Sequence, residues 1–343
     1  MNKSIIISYR ESSEDRKYNF MCLLDYLSHF QDRNTEIIIV EQDDESKLDW
    51  LSEVKGNEYI NHIFVQNDGI FNKGWGYNIG AKNATTNILM FTDSDIFIKP
   101  QTYTVAINNL NKFDVINPYH SVIFLDEEST KAYRENKYSF AIANKFKPIK
   151  HTIITGGVFF MKKDKFLEIK GFDEDCYGYG HEDDILDEKI RKLGLSVHTL
   201  NDISIHMYHE NINTNKDDLY YAFLEVNKQL YSEYKDLNKQ EILNKIEGIK
   251  EWGEIDNPLV RDTSTRHIKR ILYEKTTEKI IEHVLSKFTD VYMDEIVSEI
   301  STKIYNNIVD VISEKVKSEL SNINYSINEK NSMLKQIMKK FRT

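Results

Sequence analysis

Asp93-Ser94-Asp95 sits where an apolar run, Asn87-Ile-Leu-Met-Phe-Thr92, ends and Ile96-Phe97-Ile98 begins. A buried strand that delivers two carboxylates to its exit can hold a divalent cation, and a cation held there can grip a diphosphate. The motif carries little by itself in a chain with 55 acidic residues, and Asp173-Glu174-Asp175 is read as a chance repeat of it. His206 and His209 follow a later apolar run and offer imidazoles to the same ion as Asp95. Mixed carboxylate and imidazole ligation suits Mn²⁺ better than Mg²⁺, which prefers all-oxygen shells. The plainer alternative makes both histidines loop residues without a ligand.

Two further clusters carry chemistry. Glu182-Asp183-Asp184 opens a helix, where carboxylates cap free N–H groups and suit the dipole. Capping explains one of the three. Tyr177-Gly178-Tyr179-Gly180-His181 precedes them; its glycines let backbone approach a ligand, and Tyr177 and Tyr179 offer flat faces on which a sugar ring stacks. One carboxylate there can take a proton from a hydroxyl. In Phe71-Asn72-Lys73-Gly74-Trp75-Gly76-Tyr77-Asn78, Lys73 can pair with phosphate and the aromatics can flank a base; equally, Trp75 and Tyr77 can be ordinary packing between helix and sheet.

The elements that position these groups are legible as alternating strands and helices. Ile5-Ile6-Ile7, Ile37-Ile38-Ile39-Val40, Ile63-Phe64-Val65 and Asn87–Thr92 read as buried strands. Helical spacing of apolar residues covers about Asp15 to Phe30, and a short helix covers Tyr77 to Ala84. This alternation predicts an α/β fold, a mixed sheet with flanking helices, whose ligands lie at the carboxyl ends of strands. Ser8-Tyr9-Arg10, Glu41-Gln42 and Asp93-Ser94-Asp95 all fall at such ends. From Gln101 to His151 the pattern gives a helix, a strand near Val115-Ile116-Asn117 and a charged helical stretch from Asp126 to Asn144, in a segment that suits a lid or an acceptor-facing insertion. Gly156-Gly157 enters a strand to Met161, Phe166 to Ile169 is a short helix, a helix runs to Leu193 and stops at Gly194, and Val197 to Ile205 is one strand delivering the histidines.

The 343 residues suffice for one large domain with an appendage, and 40% hydrophobic content supports a real core. A net charge of −10 argues against nucleic acid as a partner. Two cysteines, Cys22 and Cys176, exclude a disulfide scaffold and fit a reducing, cytoplasmic compartment. No apolar stretch reaches the length of about 18 residues that a membrane span needs. After Pro258 glycine and proline vanish, and apolar residues recur from Ile281 to Ile327 at a mean step of about 3.8, above the period of a straight helix and of a heptad coil, which suits one or two long helices packed on a partner better than a plain left-handed zipper. Residues 1–258 are therefore expected to form the catalytic domain, and 259–343 a helical, coiled-coil-like extension for homo-oligomerisation. Its end, with Lys330, Lys335, Lys339, Lys340 and Arg342 among Leu334, Ile337, Met338 and Phe341, suits peripheral contact with anionic membrane or a solvated helix terminus.

Taken together, these motifs resemble the β-1,4-galactosyltransferase family and its bacterial family 2-type relatives, including chondroitin-like capsule polymerases. The similar stretches are Gly156-Gly157-Val158, Gly171-Phe172 and Gly178-Tyr-Gly-His-Glu-Asp-Asp184, with Phe71-Asn-Lys73 and Asp93-Ser-Asp95 upstream. The resemblance implies a GT-A fold and an inverting transfer of a hexose or N-acetylhexosamine, galactose or N-acetylgalactosamine in type. A UDP-sugar would be the donor, a saccharide the acceptor and Mn²⁺ the metal. It implies Asp95 and His209 as metal ligands, with His206 where the galactosyltransferases have methionine, a harder donor that widens the choice toward Mg²⁺. It places Asp183 on the catalytic base with Glu182 beside it, Asp93 and Arg10 on the donor, and Tyr179 and Asp184 on the acceptor. Ser8, Glu41, Phe71, Lys73 and Gly157 complete the expected donor side, and Tyr177 the acceptor side. Tyr179 stands for a tryptophan, Lys73 for an arginine and His181 for a glycine. The other class of function open to such a chain is a non-catalytic carbohydrate- or nucleotide-binding scaffold with a helical interaction tail.

Overall fold

The computed structural model describes residues 2–29, 35–54, 57–67, 69–209 and 218–256. The chain divides into two units, Met1–Thr263 and Ser264–Thr343. The second lies outside the described residues, and the oligomerisation and membrane expectations placed on 259–343 lie there too.

In chain order the first unit begins with β1 (Lys3–Tyr9), α1 (Glu14–Ser28), β2 (Thr35–Asp43), β3 (Ile60–Gln66), α2 (Lys73–Asn83), β4 (Ile88–Thr92) and β5 (Ile96–Ile98). It continues with α3 (Pro100–Asn109), β6 (Val115–Asn117), β7 (Ser121–Phe124), α4 (Glu127–Glu135), β8 (Ile149–Lys150), β9 (Val158–Lys162) and α5 (Lys163–Glu168). It ends with α6 (Glu182–Leu193), β10 (Val197–Thr199), β11 (Ile203–His206), α7 (Asp218–Asp236) and α8 (Lys239–Gly248). The main sheet has the order β10-β6-β9-β4-β1-β2-β3. Strands β3, β2, β1 and β4 are parallel, and β9 is antiparallel to both its neighbours. A smaller sheet has the order β5-β11-β7-β8. This is the mixed α/β architecture the sequence predicts.

The isoleucine runs explain the layering. In β1, Ile5 and Ile7 enter one apolar cluster, with α1 and the small sheet, while Ile6 enters the other, under α2, α5, α6 and α8. Side chains alternate across a strand, so a strand buried on both faces needs apolar residues at every position. Helix α2 lies close over β1 and β2: a Cβ on Gly76 would run into Ser8 Oγ, and one on Gly80 into Ile6 Cγ2. Glycine costs up to about 1 kcal/mol in a helix interior, and here it admits a backbone approach that alanine would block. The Asn72 side chain caps α2 by accepting from Trp75 N at 2.9 Å, which sets where Lys73 emerges.

Two sequence expectations change. The single strand expected from Val197 to Ile205 is broken. Asp202 accepts hydrogen bonds from Lys99 and Thr102, and the chain leaves the main sheet at β10 to join the small one at β11. The charged helix expected from Asp126 to Asn144 stops at Glu135, because Lys137 and Tyr138 take positive φ of 49° and 59°. That turn swings the Tyr138 ring onto Phe97, centroids 5.6 Å apart, while its hydroxyl donates to Asp25 at 2.8 Å.

The described chain ends by strapping itself to α2. Trp75 Nε1 donates to Glu254 O at 3.0 Å, Lys82 Nζ to Trp252 O at 2.9 Å, and Gly253 N to Glu174 Oε1 at 2.7 Å. Glu174 also accepts from Asn78 Nδ2 at 2.9 Å. Burial pushes its carboxyl up to about 7, against those two donors. Its folded value exceeds its ordinary one of 4.5, so its ionisation costs stability as pH climbs from the ordinary value through the raised one. Glu174→Gln keeps both accepted bonds and removes the charge. We expect it to be about 2–3 kcal/mol more stable than wild type in urea unfolding at pH 8, with the gain gone at pH 4; an equal gain at both pH values would contradict this origin.

Candidate active site

The antiparallel register of β5 and β11 pairs Ile96 with His206 and Phe97 with Ile205. Asp95 lies one residue before Ile96, and its backbone oxygen accepts from Met207 N at 2.9 Å. Asp95 is thereby held beside the end of β11, where the chain turns out through His206 and His209. The ligand atoms of Asp95, His206 and His209 all lie within 4.8 Å of one another. His206 Nε2 is 3.6 Å from Asp95 Oδ1, and His209 Nε2 is 3.4 Å from Asp95 Oδ2. His206 Nδ1 donates to Met207 O at 2.8 Å. A carbonyl only accepts, so Nδ1 carries the hydrogen and the Nε2 lone pair is left for a cation. One carboxylate and two imidazoles within that span fit a small divalent ion of borderline softness, Mn²⁺ better than Mg²⁺.

A second cluster begins one residue away. Lys73 Nζ lies 3.4 Å from Asp93 Oδ1, 3.2 Å from Glu182 Oε1 and 3.1 Å from Asp183 Oδ2. Asp93 also accepts from Tyr77 OH at 2.9 Å. Two residues of extended chain span at most about 7 Å, so the Asp93 and Asp95 backbones keep the two clusters close to each other. Burial pushes the Lys73 ammonium down, but Asp183, Asp93 and Glu182 more than reverse it, and it stays charged. One ammonium does not balance three carboxylates. Burial, then Glu182 and Asp93, hold Asp183 well above the usual carboxylate range, with Lys73 pulling the other way. One Asp183 oxygen faces Lys73; the other, Oδ1, is buried and has no hydrogen-bond partner among the described residues.

Asp183 is aimed by local backbone. His181 sits at φ 68°, in the left-handed region just before α6. That conformation explains why the resembling families can use glycine there. The histidine is held by Asp184 Oδ2 at 2.8 Å from its Nδ1 and by stacking on Tyr231, centroids 5.0 Å apart and 11° between planes. Glu182 Oε2 accepts from Gly180 N at 3.1 Å, and Thr155 Oγ1 donates to the Asp183 carbonyl at 2.9 Å.

Other expected residues fall into two groups. Tyr179 is 60% exposed. Phe71 is half-buried under the Arg10 guanidinium, 5.7 Å from its centroid. Gly157, at φ 80°, leaves no room for a Cβ beside Tyr119 and Ile96, and its carbonyl accepts from Asp93 N at 3.0 Å. It sets the Asp93 turn through its backbone. Ser8 is buried under α2 and accepts from Gln42 Nε2 at 3.3 Å.

Three expectations are corrected. Tyr177 is wholly buried against Phe223 and cannot show a face to sugar. Glu41 is also wholly buried. Burial pushes its carboxyl up, but hydrogen bonds from His62, Lys47 N and Ser46 more than reverse this, and they fill its oxygens on the face away from α2. Arg10 donates to the carbonyls of Gln42, Gly69 and Asn67 at 2.6, 2.6 and 2.7 Å, so it ties the strand exits together where the sequence reading put it on the donor. Asp184 Oδ2 is engaged by His181. Trp75 is core, whereas Tyr77 is both core and site: its ring meets Phe91 edge-on and its hydroxyl holds Asp93. Asp173-Glu174-Asp175 is structural, as read from the sequence: Asp173 accepts from Tyr234 OH at 2.7 Å.

Two residues, Asp43 and Arg16, were not singled out, and a third, Gln42, was noted only as part of the Glu41-Gln42 strand exit. Gln42, buried, donates to Asn72 O and accepts from Asn67 Nδ2 and Asn72 N, linking β2 to the start of α2. Asp43, at the β2 exit, keeps Oδ2 buried with no hydrogen-bond partner among the described residues. Arg16 in α1 lies 3.9 Å from Asp95. The acidic run Asp43-Asp44-Glu45 is the signal that flags Asp43; nothing in Glu14-Asp15-Arg16-Lys17 flags Arg16.

No helix among the described residues is long and apolar enough to cross a membrane. No curated protein matches the chain. Among solved structures, S. aureus TarS 1–349 is similar at 14% identity and a TM-score of 0.48, covering 90% of this chain and 89% of that chain. Its complex with UDP-GlcNAc is similar at 15% identity and a TM-score of 0.45, covering 87% and 83%. The model of the family described as "Glycosyltransferase like family 2" matches residues 4–242. With its match spanning well over half the sequence, the chain belongs to that glycosyltransferase family.

Proposed function

We propose that this glycosyltransferase moves a hexose or N-acetylhexosamine, of galactose or N-acetylgalactosamine type, from a UDP-sugar to a saccharide or glycoconjugate acceptor with inversion, in the building of a surface polysaccharide or glycan. The observation that carries the reading is the adjacency of a possible metal-ligand set, Asp95, His206 and His209, to a carboxylate, Asp183, one buried oxygen of which has no hydrogen-bond partner among the described residues. Asp95, His206 and His209 would hold a divalent ion, Mn²⁺ or less well Mg²⁺, which would supply Lewis-acid neutralisation of the leaving diphosphate.

The chain's own residues do the rest. The acceptor hydroxyl meets Asp183 Oδ1, an oxygen to which no described residue donates, and gives up its proton there as it attacks the anomeric carbon and the UDP oxygen leaves. Lys73 holds Asp183 through Oδ2 and shares its charge with Asp93 and Glu182, so the base is fixed in direction while its basicity stays raised. Tyr77 and the Gly157 backbone hold Asp93 at the donor side. Tyr179 supports the incoming ring.

Incubation with isotopically labelled UDP-sugars, a panel of saccharides and Mn²⁺ tests this. We expect acceptor-dependent release of UDP from UDP-galactose or UDP-N-acetylgalactosamine, and a product of opposite anomeric configuration. A retained configuration, or turnover confined to other nucleotides, would overturn the proposal.

A further inference from the structure

The candidate metal-ligand set has a cation built in beside it. Arg16 projects from the first turn of α1, with Nη1 3.9 Å from Asp95 Oδ2 and Nη2 3.3 and 3.4 Å from the two ring nitrogens of His209. None of these is a short charge-assisted contact, which runs nearer 2.7–2.9 Å. Its Nε is buried and has no hydrogen-bond partner among the described residues. The guanidinium is thus placed and only loosely engaged. Its position is firm: Asn19, one turn further along α1, donates to Tyr208 O at 2.9 Å and accepts from Arg134, and Tyr208 N donates to Thr130. Helices α1 and α4 clamp the His206–His209 turn between them.

A guanidinium is always charged. A dication held by Asp95 and two neutral imidazoles would therefore sit beside a second positive group, and one carboxylate does not offset both. A diphosphate does. Its oxygens also match the planar fork of an arginine, which takes two at once. Resting on the metal reading above, we infer that Arg16 is a ligand of the donor's diphosphate that weakens metal binding in its absence, so that cation and nucleotide bind as a mutually dependent pair. This places a donor-binding residue on α1, outside both sequence motifs.

Free Mn²⁺ measured by electron paramagnetic resonance, with and without UDP, tests the inference apart from turnover. Wild type is expected to bind Mn²⁺ weakly alone and far more tightly with UDP. Arg16→Gln is expected to bind Mn²⁺ alone more tightly than wild type, and the gain produced by UDP is expected to shrink about tenfold. By linkage, the gain in UDP affinity produced by Mn²⁺ shrinks by the same factor. Arg16→Lys, which keeps the charge without the fork, should retain weak binding of Mn²⁺ alone and lose most of the UDP gain; it serves as the second test should the glutamine variant fold poorly. If either variant kept both wild-type affinities, Arg16 would have no such role, while the metal reading would stand. If wild type bound no Mn²⁺ with or without UDP, the metal reading would fall and this inference with it.

Discussion

Asp183→Asn is expected to lower kcat by about 10²–10⁴-fold while leaving the KM for the donor close to that of wild type. The amide is nearly isosteric, and its oxygen can still accept from Lys73 at the place of Oδ2, 3.1 Å away in the wild type. What it loses is the capacity to take a proton at the position of Oδ1. It also removes one of three like charges around a single ammonium, so the variant should fold at least as well as wild type, and a melting curve checks that. The pH profile supplies the discriminating readout. A base works only when ionised, and Asp183 is held above its ordinary value by burial and then by Glu182 and Asp93, against Lys73. Wild-type activity should therefore fall with decreasing pH through a limb lying above the usual carboxylate range, and the residual activity of the variant should lack that limb. Near-full transfer by Asp183→Asn would move the base assignment to another group, Glu182 first.

Much of the frame behind this prediction was legible from residue types. Two isoleucine runs and the apolar run before Asp93 read as strands buried on both faces, as β1, β2 and β4 are. Ile63-Phe64-Val65, also read as buried, lies in the edge strand β3 with Phe64 exposed. Parallel strands put their exits on one side. The possible metal set of Asp95, His206 and His209 was legible only in combination: D-x-D and H-x-x-H each arise readily by chance, and the register of β5 against β11 is what brings the three ligand atoms within 4.8 Å of one another. Facing was harder to read. Glu41 and Gln42 are consecutive on β2 and point to opposite sides. Burial at every position of that strand but Glu36 hides which of them looks toward α2, and Gln42 does. In Tyr177-Gly178-Tyr179-Gly180 the two tyrosines look equivalent. Gly178 at φ 67° and Gly180 at φ 101° turn the chain so that the first enters the core and the second faces solvent. Arg10 at a strand exit suggested an anion, yet backbone carbonyls of the loop after β3 converge on it. Such tertiary acceptors leave no mark in sequence. Arg16 was invisible for the same reason: it earns a role only through the fold that carries α1 against the 206–209 turn.

The second large effect separates the two carboxylates of Asp93-Ser94-Asp95. Asp95→Asn should abolish detectable Mn²⁺ binding and lower turnover by about 10³-fold or more, since the loss of groups that merely orient metal ligands costs about 10–100-fold. The asparagine oxygen still points at His206 and His209, but the ligand set then carries no negative charge, and Arg16 remains beside it as an unopposed cation. A dication has no electrostatic reason to stay. Asp93→Asn should behave differently. Asp93 lies outside the three-residue ligand set and is tied to Lys73 and Tyr77, so that variant should keep Mn²⁺ binding and lose activity through a displaced Lys73 and a weakened donor grip. Titration of free Mn²⁺ into both variants distinguishes them before any assay of transfer. Retention of Mn²⁺ and metal-dependent turnover by Asp95→Asn would show that the ion, if one acts, is held elsewhere. The side chains meeting beneath β5 would then be a packed polar cluster, with Arg16 as its permanent counter-charge.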